Sequence, residues 1–372
     1  MVKFCKRCVM PSSRPRIVFN DNGVCNACIN GDEKNKINWS KRKEEFSSLI
    51  SKIKNLENKN NLYDCVVPWS GGKDSSSIAY KLKFEHGLNP LLVTFSPLIV
   101  NEIGVHNREA LLKKGFDSIL IRPNQDVAKK LAKRFFIERG NPKVAWDAGI
   151  NSVPVRVAIN YKIPIVFYAE HGESEYGGLV LNKESKKKRD EREVIEHLIG
   201  DFPENWSNDE IETKDLAAYL FPNESDFSEF KVESYYFSHF FRWSMLENYE
   251  YIKKKLPNFK KAEKRIDGTF TDFDSLDDKI DELYYYMQYV KFGFGRASRD
   301  ASRMIQNNQM SREEGIELAK KYDHEFPETN IKDVLEYLEL NRNQFDEIVN
   351  KHRNQEIWQL KNNNWDLKNK LK

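Results

Sequence analysis

The segment CVVPWSGGKDSSSIAYKL, residues Cys65–Leu82, decides the reading of this chain. An apolar run ending at Trp69 reads as a strand, Gly71 and Gly72 permit a tight turn, and Ile78, Ala79 and Leu82 follow as apolar positions of a helix. A strand, a two-glycine turn and a helix in direct succession let backbone N–H groups and the positive end of the helix dipole approach a phosphate closely. Lys73 adds a point charge, and Ser70 and Ser75 add hydroxyl donors. The Walker pattern is excluded, because G-x-x-x-x-G-K-[ST] needs a longer loop and a Lys-Ser/Thr ending. Cys65, inside the strand, reads as a small buried hydrophobe.

Working outward, short apolar runs at 65–69, 91–95, 118–121 and 165–169 alternate with amphipathic segments at 75–86, 105–114, 125–139 and 145–161. That alternation predicts an α/β fold on a parallel sheet with right-handed crossovers. Beyond Gly178 the pattern changes. The charged stretch KESKKKRDERE (183–193) reads as a solvated helix face or mobile loop. Residues 232–246 are aromatic-rich, and Ile280, Leu283, Tyr284, Met287 and Val290 recur at helical spacing; both sets read as core. Ser311 to Glu314 form a capping-box start, and 331–372 reads as charged helices. The expected segments are 1–35, 36–60 (a helical linker), 61–180 (the α/β core), 181–276 (a charged and aromatic insertion, a lid or substrate region) and 277–372 (helical).

Four of the five cysteines fall as Cys5-x2-Cys8 and Cys25-x2-Cys28, with 16 residues between the pairs. This spacing predicts a tetrahedral zinc site in a small ribbon, with Gly23 shaping one knuckle. Four thiolates leave no open position, so the expected zinc is structural. The odd count and the pairing argue against a secreted disulfide framework. With 60 Lys+Arg against 57 Asp+Glu, net +3, the charge excess expected of a nucleic-acid binder is missing. The N-terminus MVKFCKRCVM has no apolar signal-like region, and no run approaches a membrane span, so a cytoplasmic chain with no nucleic-acid or membrane partner is expected.

SGGKDS (70–75) resembles the PP-loop of the ATP pyrophosphatase superfamily, whose members split ATP between the α- and β-phosphates to adenylate an oxygen. The resemblance implies an adenine nucleotide alpha hydrolase-like domain in which Ser70 to Ser75 bind ATP, with Ser70, Lys73 and Asp74 catalytic and Asp74 orienting the loop or a magnesium ion. Superfamily members place further ligands after a later strand. Here AEHGESEYGG (169–178) offers Glu170, His171, Glu173 and Glu175, of which Glu173 and Glu175 are the preferred Mg2+ ligands.

FCKRCVMPSSRPRIVFNDNGVCNAC (4–28), VPWSGGKDSS (67–76), LLVTF (91–95), NEIG (101–104), AEHGESEYGG, YVKFGFGRASRDASRMI (289–305) and SREEG (311–315) together resemble the N-acetyl sugar amidotransferases of bacterial surface-glycan biosynthesis. That family includes proteins associated with amidinated pseudaminic and legionaminic acids and with acetamidino uronic sugars of O-antigens. It implies conversion of a sugar acetamido group to an acetamidino group through an adenylate. It also implies ammonia from a glutaminase subunit resembling that of the histidine pathway, with a cyclase-like companion. The residues agree: Met1-Val2 and the cysteine assignments leave no glutaminase nucleophile in this chain. Arg296, Arg299 and Arg303 fall on one side of a helix and can grip a carboxylate or phosphate; Arg296, Arg299 and His171 are the substrate candidates. Two rivals remain: a tRNA-modifying PP-loop enzyme, short of spare cysteines here, and a zinc-ribbon scaffold with a non-catalytic ATP site.

Overall fold

A computed structural model describes residues 2–56, 62–180 and 184–372. The end of the expected linker (57–60), residue 61 and the start of the insertion and its charged stretch (181–183) lie outside the described residues. In chain order, α1 (Asn26–Lys36) and α2 (Trp39–Lys54) precede β1 (Cys65–Pro68), α3 (Lys73–Tyr80), β2 (Pro90–Phe95), α4 (Glu102–Leu112) and β3 (Asp117–Ile121). Next come α5 (Gln125–Arg139), α6 (Val144–Asn160), β4 (Ile165–Tyr168), α7 (Gly172–Tyr176), α8 (Glu191–Val194), α9 (Glu224–Glu229), β5 (Glu233–Tyr236) and α10 (Met245–Lys255). The chain ends with α11 (Asp281–Phe292), α12 (Arg296–Gln306), α13 (Arg312–Tyr322), α14 (Ile331–Leu338), α15 (Arg342–Lys351), β6 (Trp358–Lys361) and β7 (Asn364–Leu367).

Five parallel strands form one sheet in the order β3-β2-β1-β4-β5. Because side chains alternate across a strand, each strand feeds both faces. Val66, Val93 and Val166 pack with Leu131, Phe135 and Ala148 of α5 and α6. Cys65, Val67, Leu92, Ile165 and Phe167 pack with Phe46, Ile78 and Ile252 of α2, α3 and α10. Burial on both faces is why β1, β2 and β4 read as unbroken apolar runs, whereas β3 at the sheet edge is largely exposed. The strand order reverses at β1, with β2 and β3 on one side and β4 and β5 on the other. In such sheets the crevice at the carboxyl ends of the switch-point strands is where ligands bind.

The strands and helices expected between 65 and 169 are all present, α3 continuing as a π-helical turn over Lys81–Glu85. Three findings differ from the sequence reading. The fifth strand comes from the aromatic stretch, whose Tyr235, Phe237 and Phe240 are buried as expected. The charged stretch is packed rather than solvated: Arg189 and Glu193 are buried, and Lys188 bridges to Tyr235 of β5. The last segment ends in the antiparallel β6–β7 pair, turned by Asn362 and Asn363 at positive φ, the two-residue hairpin chemistry that asparagine tolerates. The Ser311–Glu314 capping box is formed as expected.

Candidate functional site

The Ser70–Ser75 loop sits at the carboxyl end of β1. Gly71 has φ +93°, and a Cβ there would lie 2.7 Å from Arg108 Cγ and 2.9 Å from the Gly104 carbonyl, so no larger residue fits. Gly72 starts α3 without a side-chain cap, leaving the first-turn N–H groups available to a ligand. Trp69 Nε1 donates to Ser76 Oγ at 2.9 Å and Arg108 donates to the Ser70 carbonyl at 3.1 Å, which fixes both ends of the turn. Lys73 is buried. Its ammonium holds Asp74 Oδ2 at 2.6 Å and also bonds Asp274, whose segment lies 201 residues away in the chain. Asn248 of α10 donates to the other Asp74 oxygen at 2.8 Å.

Two adjoining cavities of about 430 and 530 Å³ open here, and Asp147, Glu170, Tyr176, Tyr284 and Arg299 line both. The first is walled by the glycine loop, Lys73, Asp74, Asp274 and Arg303. Burial opposes ionisation of Asp274, but Lys73, Arg296 and Arg303 outweigh it and hold its carboxyl below the usual range. Lys73 is likewise held protonated: burial works against the charge, and Asp274 and Asp74 overcome it. Burial first, and then the Asp74 carboxylate, push Glu170 upward, against Arg303 at 3.9 Å. Glu170 and Asp74 thus present two carboxylates to the same cavity.

The preferred magnesium ligands take a different position. Glu173 accepts a forked pair of hydrogen bonds from Arg16 at 2.8 and 3.1 Å, and Glu175 is paired with Lys34. The short helix α7 turns both toward the N-terminal module; Glu170, at the end of β4, is the carboxylate that faces the loop. Gly178 is required by this arrangement, since a Cβ there would sit 1.6 Å from Glu173 Oε2. His171 is buried between Glu193, 2.6 Å from Nε2, and the Ser174 N–H, so it braces α7 and lines neither cavity. Arg296 is buried beside Asp274 and Asp300, at 3.7 and 3.6 Å, and stacks on Tyr285; it supports the wall from behind. Arg299 and Arg303 are the arginines of α12 that reach the cavities. Asp274, Lys143, Asp147 and Arg189 were not singled out from sequence, because no local pattern marks them.

Cys5, Cys8, Cys25 and Cys28 converge, all buried, with their sulfurs within 4.8 Å of one another. A tetrahedral thiolate site with metal–sulfur bonds of ~2.3 Å places sulfurs about 3.8 Å apart. The Cys5–Cys28 and Cys8–Cys25 separations are 3.9 and 3.7 Å, so the cluster can hold one such ion. The N–H groups of Arg7, Cys8 and Cys25 point at Cys5 Sγ, at 3.3 to 3.5 Å, and would stabilise its thiolate.

Asp147 has no hydrogen bond or ion pair to its carboxylate among the described residues. Burial, opposed by Lys143 and aided by Asp281, raises it to about 7, with Tyr284 the other ionisable group beside it. Its folded pKa lies above the ordinary ~3.9, so its ionisation removes stability as pH rises from about 4 through about 7. Asp147→Asn is therefore expected to melt a few degrees above the parent at pH 8, with the gap shrinking at pH 5. Thermal melts at the two pH values check this, and a gap that is equal or larger at pH 5 would contradict it.

The fold and site define a parallel α/β chain whose switch-point crevice joins a glycine turn to a cationic helix. Residues 267–372, which carry Asp274 and the arginines of α12, match the family model described as LPS biosynthesis protein WbpG-like, C-terminal domain. The C-terminal part of the chain is thus similar to proteins of lipopolysaccharide biosynthesis, which points to an enzyme of glycan biosynthesis. No curated protein matches the chain. Among the described residues no helix is long and apolar enough to cross a membrane.

Proposed function

We propose that the chain is an ATP-dependent amidotransferase that converts the acetamido group of an N-acetylated sugar to an acetamidino group during surface-glycan biosynthesis. The observation that carries the reading is the uncapped, two-glycine start of α3 beside Lys73 at the switch point, joined in one cavity to the segment that resembles lipopolysaccharide-biosynthesis proteins. The amide oxygen attacks the α-phosphorus and pyrophosphate leaves. Ammonia then attacks the imidate carbon, the C–O bond to AMP breaks, and the nitrogen gives up its extra protons. The α3 amides and Lys73 neutralise charge on the leaving pyrophosphate. In this reading Asp74 and Glu170, which line the cavity of the glycine loop, would hold Mg2+ through oxygen in place of Glu173 and Glu175. The four-cysteine cluster holds a structural zinc.

Ammonia comes from a separate glutaminase subunit in this reading. Four cysteines are committed to one cluster, and Cys65 lies fully buried in β1 with its thiol pushed up by burial, so none is an exposed thiolate nucleophile. The test is to incubate the purified chain with ATP, Mg2+, ammonium and an N-acetylated sugar acid. AMP and pyrophosphate should form together with a product in which NH replaces the acetamido oxygen by mass spectrometry. Formation of ADP and phosphate, or of AMP independent of any sugar, would overturn it.

A further inference from the structure

The second cavity carries a charge pattern that the adenylation chemistry does not use. Arg14 arrives from the N-terminal module, Arg189 from the packed charged stretch and Arg299 from α12, and all three line it. None of the three has a carboxylate ion-pair partner among the described residues. Arg16, by contrast, is already neutralised by Glu173. Arg189 is 9 % exposed; one terminal nitrogen donates to Asn151 Oδ1 at 2.7 Å, its plane stacks 4.3 Å from the centre of the Tyr168 ring, and its other terminal nitrogen is buried with no hydrogen-bond partner among the described residues. Arg299 lies near the Tyr176 and Tyr285 rings, and its fork has no hydrogen bond among the described residues. Burial, with Arg16 and Arg299 adding repulsion, draws Arg14 down to about 10 despite the nearby Glu173.

Guanidiniums gathered from three separate segments around one cavity, with Arg189 buried and Arg14 and Arg299 half-buried, leave a cationic surface that an anion would complete. Their planar forks match carboxylate and phosphate oxygens. We infer that the second cavity binds the anionic group of the acceptor molecule, a sugar carboxylate or a sugar-linked diphosphate, through Arg14, Arg189 and Arg299. The inference rests on the proposed function for what lies next door, since the wall shared at Glu170 and Tyr176 puts the acceptor's reacting amide beside the nucleotide cavity. Its volume of about 530 Å³ suits a sugar-sized ligand. Through Arg14, the cysteine module supplies one wall of the acceptor site.

Binding of N-acetylneuraminate, UDP-N-acetylglucosamine and neutral N-acetylglucosamine to the full zinc-loaded chain tests this by calorimetry. At least one charged probe should bind about tenfold or more tighter than the neutral sugar. The winner tells whether the anion is a carboxylate or a diphosphate. Arg14→Gln and Arg189→Gln should each weaken that probe about tenfold or more, Arg189→Lys should restore only part, and a fluorescent ATP analogue should bind as before. Arg14→Gln keeps the test valid if Arg189→Gln fails to fold. Equal binding of charged and neutral probes, or undiminished binding of the charged probe to both folded Gln variants, would overturn the inference. A chain that binds the anion but no ATP analogue would instead sink the proposed function and leave the anion site standing.

Discussion

Lys73→Ala is expected to reduce AMP and pyrophosphate formation by roughly three orders of magnitude or more, the scale of losing a preorganised charge at a developing anion. It should also destabilise the fold, because Lys73 is 2 % exposed and lies between Asp74 and Asp274. Removing it leaves Asp74 with only the Asn248 hydrogen bond and Asp274 with only the more distant Arg296 at 3.7 Å, so the loss should approach the lower end of the ~3–5 kcal/mol seen when a buried pair is broken from one side. The two effects can be separated. Lys73→Ala combined with Asp274→Asn removes the stranded charge and should recover much of the melting temperature while remaining inactive. Near-normal AMP formation by either variant would remove the loop from the chemistry, and an unshifted melting point for Lys73→Ala would show that its burial carries no energetic weight.

The double variant exposes what sequence can and cannot show. The strand, turn and helix around Gly71 were legible because each obeys a local rule: an apolar run, a residue free to take positive φ, and apolar positions at helical spacing. The four cysteines were legible because ligand spacing is itself local. Asp274 was not, since its contact with Lys73 spans most of the chain and the stretch around it has no periodicity. The acidic loop after β4 shows the limit most sharply. Glu170, Glu173 and Glu175 are equivalent as letters, but the first turn of α7 sends Glu173 and Glu175 to Arg16 and Lys34 and leaves Glu170 at the crevice. Only the position of the N-terminal module decides between them. Arg189 failed for a related reason: a run of charges reads as a solvated face until a neighbouring tyrosine and asparagine are known to enclose one member. Tyr284 kept its helical register as expected, yet it lines both cavities, because apolar spacing does not distinguish core from cavity wall.

Stripping the proposed zinc from the four-cysteine cluster is expected to have the widest effect. The cysteine module has little core of its own; Cys5, Cys8, Cys25 and Cys28 pack in one cluster with Phe294, just before α12, and Ala301 and Ile305 within it. Polar ties run the same way: Ser13 donates to the Phe292 carbonyl at 2.6 Å, Asn26 to the Gly178 carbonyl at 2.6 Å, and Arg312 to the Cys5 carbonyl at 3.4 Å. Without an ion, four thiolates this close repel or must take up protons, so the module loses the interaction that closes it. The pairs Arg16–Glu173 and Lys34–Glu175 then loosen, and with them α7 and the arginine wall. The purified chain should contain about one zinc per molecule, and chelation or Cys25→Ser should lower the melting temperature by on the order of 10 °C. Below that melt, the stripped chain should lose anion binding in the second cavity before it loses nucleotide binding at α3, because Arg14 belongs to the module while the glycine loop is anchored in the sheet. Metal analysis showing no bound ion, a disulfide joining Cys5 to Cys28 or Cys8 to Cys25, or full removal of the metal with an unchanged melt would each show that this cluster is not the structural staple described.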